Sequence, residues 1–254
     1  MLVALTRGVS PSIARCELTH VEREPIDVGV ATQQHRLYED CLAGLGCALR
    51  TLPAEPDMPD CVFVEDIAVV LDEFALVTRP GAPSRRAEIP AIERALGDHR
   101  KLEHIVPPAT LDGGDVLVLG RDVFVGLSAR TNEEGLRQTQ SKLEPLGYSV
   151  TGVQISGCLH LKSAVGQIST DTLLVNREWV DTGVFGDRRL IHVAPSEPRA
   201  AGALPIGDTV VYPSAFTRTR DRLAEAGIET TTVDLSELAK AESGVTCCSL
   251  VFRK

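Results

Sequence analysis

A thiol pair in an apolar, glycine-led segment, Gly244-Val245-Thr246-Cys247-Cys248-Ser249, stands near the end of the chain. Upstream lie a histidine between leucines, His160, and a run of carboxylates: Asp60, Glu65, Asp66, Asp112 and Asp115. A thiolate is the strongest side-chain nucleophile near neutral pH, an imidazole moves protons there, and carboxylates hold cations. Together they suit chemistry on a cationic, nitrogen-rich carbon such as that of a guanidinium. Read singly, each residue has a plainer reading. His160 suits a satisfied core position. The cysteines suit two small core residues of a final strand, where alternation lets only one of them face a given site.

In Asp60-Cys61-Val62-Phe63-Val64-Glu65-Asp66, acids bracket an apolar run that should be buried. Buried carboxylates are costly unless they meet cations or donors, so the segment reads either as capping acids or as a pocket for a cation. Arg79-Pro80-Gly81-Ala82-Pro83-Ser84-Arg85-Arg86 supplies guanidinium groups able to grip an anion in bidentate fashion, or a solvated basic turn. Leu111-Asp112-Gly113-Gly114-Asp115 sets acids around a double glycine, which reads either as a place where backbone can approach a ligand closely or as an ordinary turn between strands. Arg130 precedes a helix that Thr131 or Asn132 can cap.

The elements that must carry these residues alternate. Helical periodicity predicts helices over Val30–Leu45, Ala87–Leu96, Asn132–Leu146, Ala215–Ala226 and, more weakly, Glu178–Thr182. In the third, Leu136, Leu143 and Leu146 share a face. Short β-like runs lie between, among them Leu2–Thr6, Ala48–Leu52, Ala68–Leu71, Phe74–Thr78, Val116–Leu119, Val123–Gly126, Thr172–Val175 and Cys248–Phe252. Helices recur at intervals of roughly 40–60 residues with two or three strands between them, the rhythm of a repeated αβ unit. Neither GxGxxG nor GxxxxGK[ST] occurs, which removes the usual phosphate-binding loops.

The 254 residues, 43% hydrophobic and 24% charged, are those of an ordinary globular protein, read as one domain over residues 1–254. A net charge of −9 argues against nucleic acid and anionic membrane and favours a cationic small ligand. No stretch reaches the ~20 apolar residues of a membrane span, and the amino terminus reads as a strand rather than a signal peptide. Seven cysteines without a CxxC pair point to a reducing, cytoplasmic setting, and no His/Cys cluster has zinc-ligand spacing.

Six segments together resemble the dimethylarginine dimethylaminohydrolases, a branch of the guanidine-modifying (amidinotransferase and arginine deiminase) superfamily. They are Met58–Asp66, Thr78–Arg86, Ala109–Val116, Val125–Asn132, Leu159–Ser163 and Thr246–Leu250, in family order over nearly the whole chain. The least distinctive stretch is Ser169–Ala226. The resemblance implies an α/β fold, a five-bladed propeller of ββαβ units in a single domain. It implies hydrolysis of Nω-methylated arginines to citrulline, without metal or organic cofactor, by a monomer or homodimer.

The same resemblance assigns Cys247 as nucleophile, His160 as general acid and base, Asp66 and Asp112 as holders of the guanidinium, and Glu65 as their support. It assigns Arg85 and Arg130 to the substrate α-carboxylate, Asp60 to the α-amino group and Leu18 to a closing flap. Some bacterial members carry glutamate where this chain has Asp112. Arginine deiminases share the catalytic set but are longer, and a non-catalytic binder of arginine derivatives is the rival of another class.

Overall fold

The computed structural model describes residues 1–254. Fifteen strands form five three-stranded sheets. Blade 1 contains β15 (Leu250–Arg253), β1 (Leu2–Arg7) and β2 (Ala48–Leu52); blade 2 contains β3 (Ala68–Val70), β4 (Ala75–Val77) and β5 (Leu102–His104). Blade 3 holds β6 (Val116–Leu119), β7 (Asp122–Leu127) and β8 (Ser149–Gln154); blade 4 holds β9 (Val165–Gln167), β10 (Thr172–Val175) and β11 (Arg189–His192). Blade 5 is β12 (Leu204–Ile206), β13 (Thr209–Pro213) and β14 (Thr230–Val233). In every blade the first two strands are antiparallel and the last two parallel, the strand arrangement of the ββαβ unit of a five-bladed α/β propeller, and blade 4 alone lacks the α-helix. Blade 1 takes β15 from the far end of the chain, and that pairing closes the ring.

Alternation along the strands explains the packing. Successive side chains point to opposite faces of a sheet, so a central strand feeds the seams on both sides. In β10, Leu173 and Val175 join the apolar cluster shared with blade 3, whereas Leu174 joins the cluster shared with blade 5. The same division holds around the ring, giving five clusters for five seams. The parallel pairs need crossovers, and four are helices: α1 (Val28–Gly44), α2 (Ile89–Gly97), α3 (Glu133–Leu143) and α5 (Thr217–Glu225). Two one-turn helices, α4 (Leu161–Ala164) and α6 (Ser236–Ala239), lie outside the crossovers. The Asn132 carboxamide oxygen caps α3 by accepting from Gly135 N at 2.9 Å.

Three sequence expectations are corrected. No α-helix forms over Glu178–Thr182; that crossover has a 3₁₀ turn at Thr182–Phe185, started by Asp181 accepting from Gly183 N. Three β-branched residues and two glycines there, Val180, Thr182, Val184, Gly183 and Gly186, all disfavour helix. The third helix stops at Leu143, because Pro145 restricts Glu144 and cannot continue the hydrogen-bond ladder. Leu146 is consequently exposed, off the packed face. The final strand begins at Leu250, so Cys247 and Cys248 sit in the turn before it.

Leu174 is fully buried in its seam, so Leu174→Ala should cost about 2–5 kcal/mol in chemical denaturation. It should leave the neighbouring seam and the mouth of the ring intact, read as unchanged substrate KM below the new transition.

Candidate active site

The innermost strands β3, β6, β9, β12 and β15 surround an axial channel. The segments entering those strands gather at one mouth of the ring. Glu65 and Asp66 lie in a 3₁₀ turn leading into β3; Asp112 caps the Gly113–Asp115 turn leading into β6. His160 stands immediately before α4, which leads into β9, and Cys247 lies just before β15. Residues remote in sequence thus hold equivalent places in successive repeats, and fivefold pseudosymmetry points them at a common centre.

A cavity of about 340 Å³ opens there. Cys247, His160 and Glu65 line it with Gly114 and Lys162; Trp179, Phe216 and Leu235 add apolar wall. The half-buried Cys247 Sγ accepts from Gly244 N at 3.3 Å. Burial, then the Glu65 and Asp66 carboxylates, push its thiol up to about 12, against the lowering effect of the Gly244 N–H and Ser243. Cys248 points the other way, fully buried in the seam between blades 1 and 5.

His160 sits among carboxylates. Its Nε2 is 3.1 Å from Asp112 Oδ2 and its Nδ1 is 3.7 Å from Asp66 Oδ1. Burial of the ring works against its charge, but Asp66, then Asp115 and Asp112, outweigh that and push it up to about 9. Asp66 shows the reciprocal effect: burial would raise it, yet the His160 and Arg85 charges hold it below its usual range. Asp115, buried beneath, accepts from Ser128 Oγ and Thr131 Oγ1, each at 2.7 Å, and from Leu161 N at 2.9 Å. Burial raises it to about 6 against those donors and the His160 charge, so it is ionised at neutral pH.

Two assignments change. Asp112 has no exposed surface and does not line the cavity; Gly81 N donates to its Oδ1 at 2.8 Å while Oδ2 meets His160. It orients the ring, and Glu65 is the carboxylate that faces the cavity beside Cys247. Arg85 is likewise no free clamp. Its nitrogens donate to Asp66, to both oxygens of Glu88 and to the carbonyls of Asp60 and Phe63. Buried to 3% exposure, it neutralises Asp66 from behind. The donor atoms of Asp66, Asp112 and His160 lie within 4.8 Å of one another, but each residue is already engaged in this hydrogen-bonded network.

Leu18, Asp60 and Arg130 converge on the loop from Cys16 to Asp27. Glu17 N donates to both Asp60 oxygens at 3.2 Å, and Arg130 Nη2 donates to Thr19 Oγ1 at 3.3 Å. Thr19 N and His20 N donate to the Glu242 carboxylate at 2.6 and 2.8 Å, so the loop is pinned across the mouth. Half-buried Leu18 packs on the seam between blades 1 and 5. Burial, opposed by Arg85 and Glu17 N, raises Asp60 to about 6.

Sequence reasoning gave no role to Lys162, Thr246, Glu242 or Trp179. A lysine two residues from His160 in an apolar segment was the available signal for the first. Trp179, the only tryptophan, falls in the least distinctive stretch.

No protein-family model matches the chain. It is 39% identical over 252 residues to the N(G),N(G)-dimethylarginine dimethylaminohydrolase of Streptomyces coelicolor, covering 99% of this chain and 97% of that one. Among solved structures it is similar to the Pseudomonas aeruginosa dimethylarginine dimethylaminohydrolase, a serine-for-cysteine variant complexed with citrulline. The TM-score is 0.94 and the identity 34%, with 98% of each chain covered. A dimethylarginine dimethylaminohydrolase with a histidine-to-glycine substitution, solved as an adduct with S-methyl-L-thiocitrulline, gives TM-score 0.94 and 34% identity over 99% of this chain and 100% of that one. Fold and site define a guanidine-modifying propeller with a thiol at its mouth. The chain belongs to the dimethylarginine dimethylaminohydrolase family.

The double glycine tests the geometry. A Cβ on Gly114 would fall 2.6 Å from His160 Nδ1 and 2.7 Å from Asp66 Oδ1. Gly114→Ala should therefore displace the ring and lower kcat by roughly 10²-fold, with the circular-dichroism spectrum unchanged.

Proposed function

We propose that the chain hydrolyses Nω-methylated arginines, asymmetric dimethylarginine and monomethylarginine, to citrulline and dimethylamine or methylamine. The observation that carries this reading is one cavity lined jointly by a thiol, an imidazole and a carboxylate, Cys247, His160 and Glu65, in a chain of this family. The adduct and citrulline complex of the related enzymes support the same chemistry.

The substrate guanidinium lies against Glu65, with Asp66 contributing charge from behind. Its positive charge offsets the carboxylates that suppress Cys247 ionisation, so the thiolate forms chiefly when substrate is bound, the thiol proton passing to solvent water. The thiolate attacks the central carbon. His160, held at Nε2 by Asp112, delivers a proton from Nδ1 to the departing amine as the C–N bond breaks. The product is an S-linked thiouronium on Cys247. Water, deprotonated by the now neutral His160, adds to that carbon, and the C–S bond breaks to give citrulline and the restored thiol. Protein groups and water suffice for each step. Arg130 and Asp60 meet the amino-acid end, with the Leu18 loop closing over it. Residues 1–254 act as one catalytic domain, as a monomer or homodimer; the seven unpaired cysteines suit a reducing cytoplasm.

Cys247→Ser should abolish citrulline release. Cys248→Ser should largely spare it while costing about 1–3 kcal/mol for a hydroxyl buried in an apolar seam. Colorimetric comparison of asymmetric dimethylarginine, monomethylarginine, symmetric dimethylarginine and arginine checks both enzymes and specificity. Turnover of the first two alone is expected, and binding without citrulline would mean a non-catalytic binder.

The pH profiles have a definite sign. His160 must carry a proton to release the amine and in the free protein loses it as pH rises through about 9, so kcat/KM should fall there. The rising limb of kcat reports the Cys247 thiol in the complex and should lie well below its unliganded value of about 12.

A further inference from the structure

Two cavities meet end to end on the propeller axis: the site cavity and the axial channel of about 310 Å³. Only three residues line both, Glu65, Lys162 and Thr246. Lys162 Nζ donates to Glu65 Oε1 at 2.8 Å and Thr246 Oγ1 donates to Glu65 Oε2 at 2.7 Å. Glu65 N donates to the carbonyl of Cys247 at 3.2 Å. Each carboxylate oxygen of Glu65 therefore has one fixed partner, and its backbone is tied to the sulfur-bearing residue. The Lys162 side chain is 21% exposed and reaches this wall from α4, the helix that His160 immediately precedes.

We propose that Lys162 is a positioning residue for the reaction: its ion pair holds Glu65 as the wall between channel and site and sets the charge that Cys247 meets. The inference rests on the assignment of Cys247 as nucleophile. Without the ammonium, one Glu65 oxygen faces the channel without a cation, and the carboxylate presents a fuller negative charge to the thiol. The other groups facing Cys247 stay in place. They are Asp66 beside Glu65, His160, Tyr38 and Cys248 from the seam behind, and Glu242 and His20 at the cavity rim. Glu65 is the strongest of the carboxylates that raise the thiol, so what neutralises Glu65 matters most.

The pair acts at close range, and an opposite charge within hydrogen-bond reach commonly moves a titration by about 1–3 pH units. Felt at one remove, through Glu65, about one unit or less is expected at Cys247, a roughly three- to tenfold change in thiolate at fixed pH.

The test is alkylation of substrate-free enzyme by iodoacetamide, a neutral probe, between pH 7 and 11. The rate is read by mass on the peptide containing Cys247, with Cys247→Ser as blank. At pH 9, Lys162→Met should slow the reaction roughly three- to tenfold, while Lys162→Arg should restore most of the rate. Glu65→Gln should accelerate it, and in the Glu65→Gln background Lys162→Met should lose more than half of its effect. Superposable profiles for the wild type and Lys162→Met would overturn the proposal, as would an equal effect of Lys162→Met with and without Glu65. Should Lys162→Met fail to fold, Lys162→Gln serves in the same comparisons.

A second readout is the rising limb of kcat for asymmetric dimethylarginine, which should move to higher pH in Lys162→Met and return in Lys162→Arg. A structural role alone would lower the amount of folded enzyme and leave both pH profiles in place. The alkylation requires no substrate, so failure of the methylarginine assignment and failure of the Lys162 proposal remain distinguishable.

Discussion

Everything at the mouth of the ring depends on how buried charge is compensated. Asp60, Glu65, Asp66, Glu88, Asp112 and Asp115 are buried acids, while Arg85, Arg130, His160 and Lys162 are the cations among them. An uncompensated buried ion costs several kcal/mol, so this cluster persists only because each acid has a cation or several donors. The acids still outnumber the cations, and Glu65 faces the empty side. A guanidinium entering the cavity completes a charge arrangement that the fold leaves short of positive charge. A preference for a cationic ligand follows from that deficit before any shape is considered.

The propeller makes the deficit affordable. The charged groups enter from several repeats, Glu65 and Asp66 just before β3, Asp112 and Asp115 just before β6, His160 and Lys162 just before β9, so the cluster is divided among segments that meet only when the ring closes. The seams between blades are apolar and closed, which keeps water away from the rear of the cluster and strengthens the electrostatics within it. Gly113 and Gly114 are required by the same closeness. A Cβ at Gly113 would lie 2.0 Å from the Glu65 carbonyl, so two repeats meet here with no room for a side chain. The sequence reading anticipated a close approach to a ligand; the neighbours are instead Glu65, Asp66 and His160.

Much of the architecture was legible because its signals are local. α1, α2, α3 and α5 fall where periodicity put them, and most strands are apolar runs bounded by turns. The strands β5, β9 and β12 escaped because Leu-Glu-His, Val-Gly-Gln and Leu-Pro-Ile are broken by charge, glycine or proline, whereas the equally short β3 and β4 are wholly apolar. The helix expected over Glu178–Thr182 failed because weak periodicity there ran against β-branched residues and glycine. Identity of the acids was legible; their division of labour was not. Whether a carboxylate lines a cavity or lies behind an imidazole depends on contacts between repeats. Asp112, expected at the guanidinium, lies behind His160, Glu65, expected as its support, lines the cavity, and Arg85, expected at the substrate carboxylate, is committed to Asp66 and Glu88.

The deficit of positive charge also explains how a buried cysteine can be both reactive and protected. A thiol pushed up to about 12 carries almost no thiolate near neutral pH, so in the unliganded protein Cys247 is a poor target for oxidants and stray electrophiles. The feature that suppresses it is the acidic surrounding that attracts the substrate. In the proposed mechanism binding and activation are therefore one electrostatic event, in which the cation that satisfies Glu65 also removes the reason for the thiol to keep its proton. His160 follows the opposite logic: Asp66, Asp115 and Asp112 push it up to about 9, which keeps the ring protonated near neutral pH. One acidic cluster acts on both groups, holding the His160 imidazolium charged and the Cys247 thiol neutral in the unliganded protein.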